Sequence, residues 1–255
     1  MSRVSLRNVR SVWIACLLVL VSFHATPVAA FTPPVAGIGA LLFPVRGSYI
    51  ETTSQADSPR TALQDASDFF VDAFWTAKTG GAAKLSDRQK QQLRQSQTAE
   101  FNQRYGGRRK ATTAQLVLYR NTAGDVIGCA GVQVDKILDG SLNGPTACQA
   151  PLMSNLAVSR SYRRRGLAEA LVAAVEELVA DEWGYDVCYL YVEERNRAAV
   201  KLYNKLGYRQ QWTDRSAQTL VPESTGDLSS RPTVLVCMKK NLARPQGLWG
   251  RLFGR

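Results

Sequence analysis

The chain has 255 residues, a net charge of +11, 45% apolar residues and a single histidine. That length holds one ordinary domain with extra segments, and the apolar fraction is ample for a packed core. The one histidine is His24, so everything beyond residue 30 lacks this side chain, which removes Ser-His-Asp and Cys-His catalysis and most zinc sites.

The amino terminus reads as an address. Met1 to Arg10 is positively charged through Arg3, Arg7 and Arg10, and Val12 to Phe23 is largely apolar. Val28 and Ala30 place small residues at the −3 and −1 positions of a signal-peptidase site. The apolar run is too short to span a bilayer comfortably, so residues 1–30 read as a signal peptide and no stable anchor is expected in the mature form. Residues 31–62 open with Phe31-Thr-Pro-Pro34, carry Arg46, and contain no acid before Glu51. A signal peptide joined to an acid-poor segment that begins with Phe resembles the two-part plastid-targeting presequence of algae with secondary plastids. The expected location is the plastid stroma, with cleavage near Ala30 and again before Leu63. Secretion is the alternative, and it leaves the acid-poor stretch unexplained. Residues 1–30 hold three arginines and no acid, so the remainder carries 11 − 3 = +8.

Downstream, Asp68 to Ala77 has the apolar stripe of a helix, with Phe69, Phe70, Ala73 and Phe74. Lys78 to Lys84 is a glycine-containing break. Ser86-Asp-Arg-Gln89 has the form of a capping box opening a polar, basic surface helix that runs to about Tyr105. Gln115 to Arg120 and Val126 to Ile137 flank the turn Asn121 to Asp125 as a hairpin would. Leu138 to Ala150 reads as a loop.

The stretch from Leu152 to Ala168 carries the clearest chemical signal. An apolar strand, Leu152 to Val158, enters a basic turn, Ser159 to Gly166, that opens an amphipathic helix. Leu167, Ala170, Leu171, Ala174, Val175, Leu178 and Val179 recur at the helical period. A helix start presents free N–H groups and a partial positive charge. With Arg163, Arg164 and Arg165 alongside, it suits a phosphate-bearing ligand, although an arginine triplet is otherwise a solvated charge run.

Val187 to Val192 then reads as a buried strand, followed by Glu193-Glu-Arg-Asn196 at its carboxyl end. A short helix carries Ala198, Ala199, Leu202, Tyr203 and Leu206 on one side and closes at Gly207. Arg209 to Thr213 and Thr233 to Lys239 make two more strands, joined by a Ser/Pro/Gly-rich connection from Ala217 to Pro232. Of the cysteines past residue 30, Cys129, Cys148, Cys188 and Cys237 are widely spaced. They suit small buried positions better than a disulfide framework. Together the elements give an α/β fold with a mixed, mostly antiparallel sheet and helices on both faces.

The elements Arg163-x-x-Gly166-x-Ala168 and Asn196-x-x-Ala199-x-x-Leu202-Tyr203, with Gly207-Tyr208, occur in order on the expected elements. The pair resembles the GNAT superfamily of acyl-CoA-dependent N-acyltransferases, loosely over residues 63–242, leaving 243–255 as a basic tail. The resemblance implies a splayed central strand pair and acetyl-CoA as co-substrate, with no metal. It implies that the amides from Arg163, Arg164, Arg165, Gly166 and Leu167 to Ala168 cradle the coenzyme A phosphates. It also implies that backbone groups of Leu156, Ala157 and Val158 pair with the pantetheine arm and polarise the thioester carbonyl. Ala168 stands where many relatives carry glycine.

By the same resemblance Asn196 and Ala199 border the pantetheine, and Tyr203 is the general acid that protonates the departing thiolate. A capping role suffices for Asn196, and a core role for Tyr203. Glu193 and Glu194 sit where an amine base would be useful, and equally where they would pair with Arg195 or Arg197. The connection from Ala217 to Pro232, with Leu220, Val221 and Glu223, borders the acceptor entrance in relatives; a flexible spacer is the simpler reading. Leu248, Trp249, Leu252 and Phe253 in the tail suit an anionic membrane surface, against a disordered tail.

The segment is also similar to the plastid branch of the superfamily, whose members acetylate protein amino termini and lysines. These are the expected acceptors, with no nucleic-acid partner. A small amine, such as an arylalkylamine or a polyamine, is the enzymatic alternative. A catalytically idle acyl-CoA sensor is the non-enzymatic one.

Overall fold

The computed structural model describes residues 47–75, 85–106, 113–139, 146–222 and 228–242. The expected signal peptide, the break at 78–84, Glu223 and the carboxyl-terminal tail lie outside these residues. Within them, a seven-stranded sheet has the order β1-β2-β3-β4-β5-β9-β6, and β7 and β8 form a separate two-stranded hairpin.

The chain enters through β1 (Tyr49–Thr52), which pairs antiparallel with β2 (Ala114–Arg120). This strand lies inside the segment expected to be a removable presequence. Arg120 ties it down: its Nε bonds Glu51 at 2.5 Å, and its terminal nitrogens reach Asp65 at 3.1 Å and the Gly124 carbonyl at 2.6 Å. Folded structure therefore begins upstream of Leu63, by Gly47 at the latest.

Helix α1 (Pro59–Phe70) starts nine residues before the expected Asp68. Ser58 in extended conformation and Pro59 in the first turn make a normal helix entry, because proline there gives up only an N–H that has no intrahelical partner. A π-helical turn, Val71–Trp75, prolongs it. Helix α2 (Asp87–Tyr105) opens on the expected capping box: the Gln89 N–H donates to Ser86 Oγ at 3.3 Å, and the Ser86 N–H to Gln89 Oε1 at 2.6 Å. Its Leu93, Phe101 and Tyr105 are buried against α1, so the helix is polar without lying free on the surface.

The central hairpin is longer than the sequence indicates. β3 (Val126–Asp139) and β4 (Thr146–Val158) stay paired out to Asp139 and Thr146, so most of the expected loop from Leu138 to Ala150 is strand. Beyond β4 come α3 (Leu167–Glu177), its π-helical extension Leu178–Glu182, and β5 (Val187–Glu193). Helix α4 (Arg197–Lys205) follows, ended by Gly207 at φ 94, and then β6 (Arg209–Asp214). The expected spacer is the hairpin β7 (Gln218–Pro222) and β8 (Leu228–Pro232), and β9 (Leu235–Asn241) closes the sheet.

Among the described residues three buried clusters result, two of them under helices. Helices α3 and α4 cover one face through Leu167, Leu171, Val175 and Tyr203 on Val132, Met153, Leu190 and Val236. Helices α1 and α2 cover β2–β4 on the other face, and Leu220 of β7 joins that cluster. Cys129, Cys188 and Cys237 are buried free thiols, and Cys148 is half-buried and also free.

Candidate active site

β4 and β5 form a parallel pair, and their ladder holds only at Leu152–Tyr189 and Met153–Leu190. Past that point β4 bends away while β5 stays paired to β9 as far as Glu193. The bend has a local cause. Opposite β3, Gly131 faces Ser154 and Cys129 faces Ala157, so Asn155 and Leu156 together oppose Ala130. That is a β-bulge, with Asn155 at φ 55, a left-handed conformation that asparagine tolerates better than most residues. The wedge between residues 154–158 of β4 and 191–193 of β5 exposes strand backbone with no strand across from it. Leu156 and Val158 flank it half-buried on the α3 side, and Ala157 is buried on the other.

The turn after β4 leads directly to a helix start. A 3₁₀ turn, Arg160–Tyr162, is followed by Arg164 at φ 63 and Gly166 at φ 81, ψ 0. Gly166 precedes α3 and supplies no side-chain cap, so the first N–H groups of the helix, including those of Leu167 and Ala168, have no acceptor among the described residues. The arginines divide the work. Arg163 Nε donates to the Val158 carbonyl at 3.3 Å, and Arg165 stacks over the Tyr162 ring at 5.3 Å. Arg164 is exposed with no side-chain partner among the described residues. Bare amides, a helix dipole and a free guanidinium at one point fit a pyrophosphate.

Tyr203 of α4 packs into the core on the α3 side of the sheet. It is 7% exposed, its ring meets Tyr208 edge-on at 5.7 Å, and its hydroxyl has no partner among the described residues. Burial, with a smaller push from the Cys188 thiol, raises the phenol above its ordinary value, so it stays protonated. Asn196 caps α4, accepting the Ala199 N–H on its side-chain oxygen at 3.2 Å.

The two carboxylates at the end of β5 differ. Glu193 accepts the Thr219 hydroxyl at 2.7 Å and Arg195 Nε at 2.6 Å, so both oxygens are engaged and the hairpin β7–β8 is tied to β5. Glu194 is exposed, and its N–H donates to the Val234 carbonyl. The pairing with Arg195 open in the sequence is the one formed.

On the α1/α2 face the wedge is lined by residues that the sequence did not single out. Tyr191 and Trp212 meet at 5.5 Å, and burial, then Cys237, Asp135 and Asp214, push the Tyr191 phenol up. Tyr105 Oη lies 3.4 Å from Ser154 Oγ and accepts from Asn155 Nδ2 at 3.0 Å. Glycines at 128 and 131 inside a strand were the available signal for a bulge or close approach here. Among the described residues no group of three or more His, Cys, Asp or Glu side chains is placed to hold a metal ion.

A sequence profile of the Acetyltransferase (GNAT) family matches residues 82–208, which include the β4 bulge, the start of α3, the end of β5 and Tyr203. This domain belongs to the GNAT family. An N-alpha-acetyltransferase of Sulfurisphaera tokodaii is 28% identical over 87 residues, covering 34% of this chain and 52% of that protein. The chain thus spans about half the length of the curated relative it matches. Among solved structures, the ribosomal-protein-S18-alanine N-acetyltransferase of Escherichia coli aligns over 77% of this chain and 94% of its own, with 20% identity and a TM-score of 0.49. A spermidine N-acetyltransferase chimera from Vibrio cholerae aligns over 76% and 95%, with 11% identity and a TM-score of 0.48. The GNAT domain carries its bulged β4, splayed β5 and glycine-led α3 in the order in which the sequence presents them.

Proposed function

We propose that this GNAT domain transfers an acetyl group from acetyl-CoA to a primary amine by direct attack, with protein α-amino groups and lysines as acceptors. The observation that carries the reading is the uncapped start of α3 beside the wedge at one end of the β4–β5 pair. A buried, protonated Tyr203 on the helix that follows β5 supports it.

When bound, the co-substrate supplies an acetyl thioester. The amides from Arg163 to Ala168 would hold its phosphates, and the β4 backbone at Leu156 to Val158 would pair with its arm and draw charge onto the thioester oxygen. Attack forms the C–N bond and breaks the C–S bond. The sulfur takes its proton from Tyr203, and the amine loses one to water or to a carboxylate. Glu194 is the uncommitted acid at that end of β5, whereas Glu193 is held by Thr219 and Arg195. The amine must be neutral to attack, which is easy for an α-amine of pKa about 7.7–8.0 and harder for a lysine near 10.4. Asp135 and Asp214 beside Tyr191 and Trp212 support an acceptor that arrives as a cation.

The test is acetyl transfer to two peptide pools read by mass spectrometry, one with free α-amines and no lysine, the other with blocked α-amines and internal lysines. Label on either supports a protein acceptor. No label on either, with coenzyme A bound, overturns it and turns the search to arylalkylamines, polyamines or an idle sensor. For location we infer a plastid stromal enzyme from the two-part presequence. A second cleavage ahead of β1 would keep that strand in the mature enzyme. A fluorescent fusion of residues 1–46 found outside plastids would refute this.

A further inference from the structure

The bulge that opens the wedge is held by a side chain from the opposite layer. Tyr105 ends α2, is 8% exposed, and has its ring fixed edge-on against Phe101 at 5.7 Å. From there its hydroxyl crosses to β4 and meets the two consecutive residues that the bulge turns onto one face. It accepts from Asn155 Nδ2 at 3.0 Å and pairs with Ser154 Oγ at 3.4 Å. The Asn155 carbonyl is taken as well, by the Cys129 thiol at 3.4 Å. The side-chain N–H and the backbone carbonyl of the left-handed residue therefore both have partners.

The passage for the hydroxyl is also built. A Cβ on Gly131 would lie 2.1 Å from Tyr105 Oη and 2.7 Å from its ring carbon, so only glycine in β3 lets the phenol reach the bulge. Burial keeps the phenol neutral, hence able to accept and donate at once. Without these contacts nothing favours an asparagine at φ 55 over ordinary strand geometry. A regular β4 would extend its parallel ladder beyond Met153–Leu190 and close the wedge.

We infer that Tyr105 is a positioning residue for the pantetheine arm: through Asn155 it holds the β4 bulge, and the bulge keeps the backbone of residues 156–158 free to pair with the arm. The inference rests on the acetyl-CoA reading of the site. It separates two parts of one ligand, because the phosphates bind at the start of α3 and do not touch the bulge.

The experiment is calorimetric titration of the full chain with coenzyme A and, separately, with its 3′-phosphorylated ADP fragment, which keeps the pyrophosphate and lacks the arm. Tyr105→Phe keeps the ring and removes the hydroxyl. Asn155→Ala removes both the amide that donates to Tyr105 and the residue type that tolerates φ 55, giving a second route should the first variant fold poorly. Each is expected to weaken coenzyme A binding by about tenfold, the scale of one buried hydrogen bond, and to change fragment binding by less than about twofold. The double variant should lose no more than either single one, since both break the same contact. Coenzyme A affinity within about twofold of the parent in a folded Tyr105→Phe would overturn the clamp, as would equal losses for both ligands. A parent chain that binds neither ligand overturns the acetyl-CoA reading itself, so the two failures are told apart.

Discussion

Replacing Tyr203 by phenylalanine removes one oxygen and leaves the ring that packs at 5.7 Å against Tyr208. Among the described residues that oxygen has no hydrogen-bond partner, so the change orphans nothing, and stability should stay within about 0.5 kcal/mol of the parent or rise slightly. Affinity for acetyl-CoA should hold as well, since neither the α3 amides nor the β4 backbone is altered. Only turnover is exposed. A thiolate leaves with modest need of a proton, so kcat should fall by about 10- to 1000-fold, or roughly 1.4–4 kcal/mol of barrier.

The pH dependence sharpens the test. Burial raises the phenol above its ordinary value of 10.0, and a general acid works while protonated. The contribution of Tyr203 is therefore full throughout the neutral range and is lost only as pH rises through its raised value. The folding linkage has the same sign: a phenol kept neutral in the folded state contributes stability that is complete below the unfolded value of about 10 and fades above it. The assay is thiol release under acetyl-CoA saturation from pH 6 to about 10, with binding titrated in parallel. An unchanged kcat in Tyr203→Phe removes this residue from the chemistry. A wild-type alkaline limb near pH 8 that vanishes in the variant would refute the burial argument.

Arg164→Ala should weaken coenzyme A binding by about tenfold at low salt, with the difference shrinking in high salt, because this guanidinium is exposed and screened; a salt-independent loss measured by titration would point to a structural role. Glu193→Gln retains an oxygen for the Thr219 hydroxyl and should keep kcat within about tenfold of the parent, whereas Glu193→Ala should raise the acceptor KM by loosening the β7–β8 hairpin. A kcat loss above about a hundredfold in the glutamine variant would make Glu193 the base instead. A chain starting at Leu63 loses β1 and leaves Arg120 without Glu51. It should melt roughly 10 °C below one starting at Gly47, the scale of breaking a buried ion pair in a domain of this size. Equal melting temperatures in a thermal scan would show that β1 adds nothing.

What the sequence disclosed was local. The capping box at Ser86 and Gln89, the apolar stripe of α3 and the asparagine cap of α4 each lie within a few residues of the signal that reveals them, and each forms as read. What it concealed was distant. Residues 138–150 hold Gly140, Asn143, Gly144 and Pro145, which look like a loop, yet the flanks pair because Ile137 and Ala150 pack on Leu152 and Tyr189. The β7–β8 hairpin carries serines and prolines that read as a spacer, and Leu220 and Thr219 fix it through partners 26 or more residues away. Glu193 was ambiguous for the same reason, since the choice between base and ion pair depends on where Thr219 lands. Only the early start of α1 had an overlooked local cue, Ser58-Pro59.

The position of the site follows from topology more than from any single residue. Among the described strands, β4 and β5 are the one parallel pair, so both deliver their following helices to the same end of the sheet. That end receives the bare start of α3 after Gly166 and the Asn196-capped start of α4, which carries Tyr203. An antiparallel pair would send its two connections to opposite ends and separate the start of α3 from the start of α4 by the length of a strand. Parallel pairing alone would still leave a closed ladder there. The bulge at Asn155 opens it, and its cost is met on the far face by Tyr105 and Gly131, residues remote in sequence from either motif. Substitutions at these two positions should therefore weaken arm binding while leaving the phosphate loop intact, although neither touches the loop or the reacting atoms.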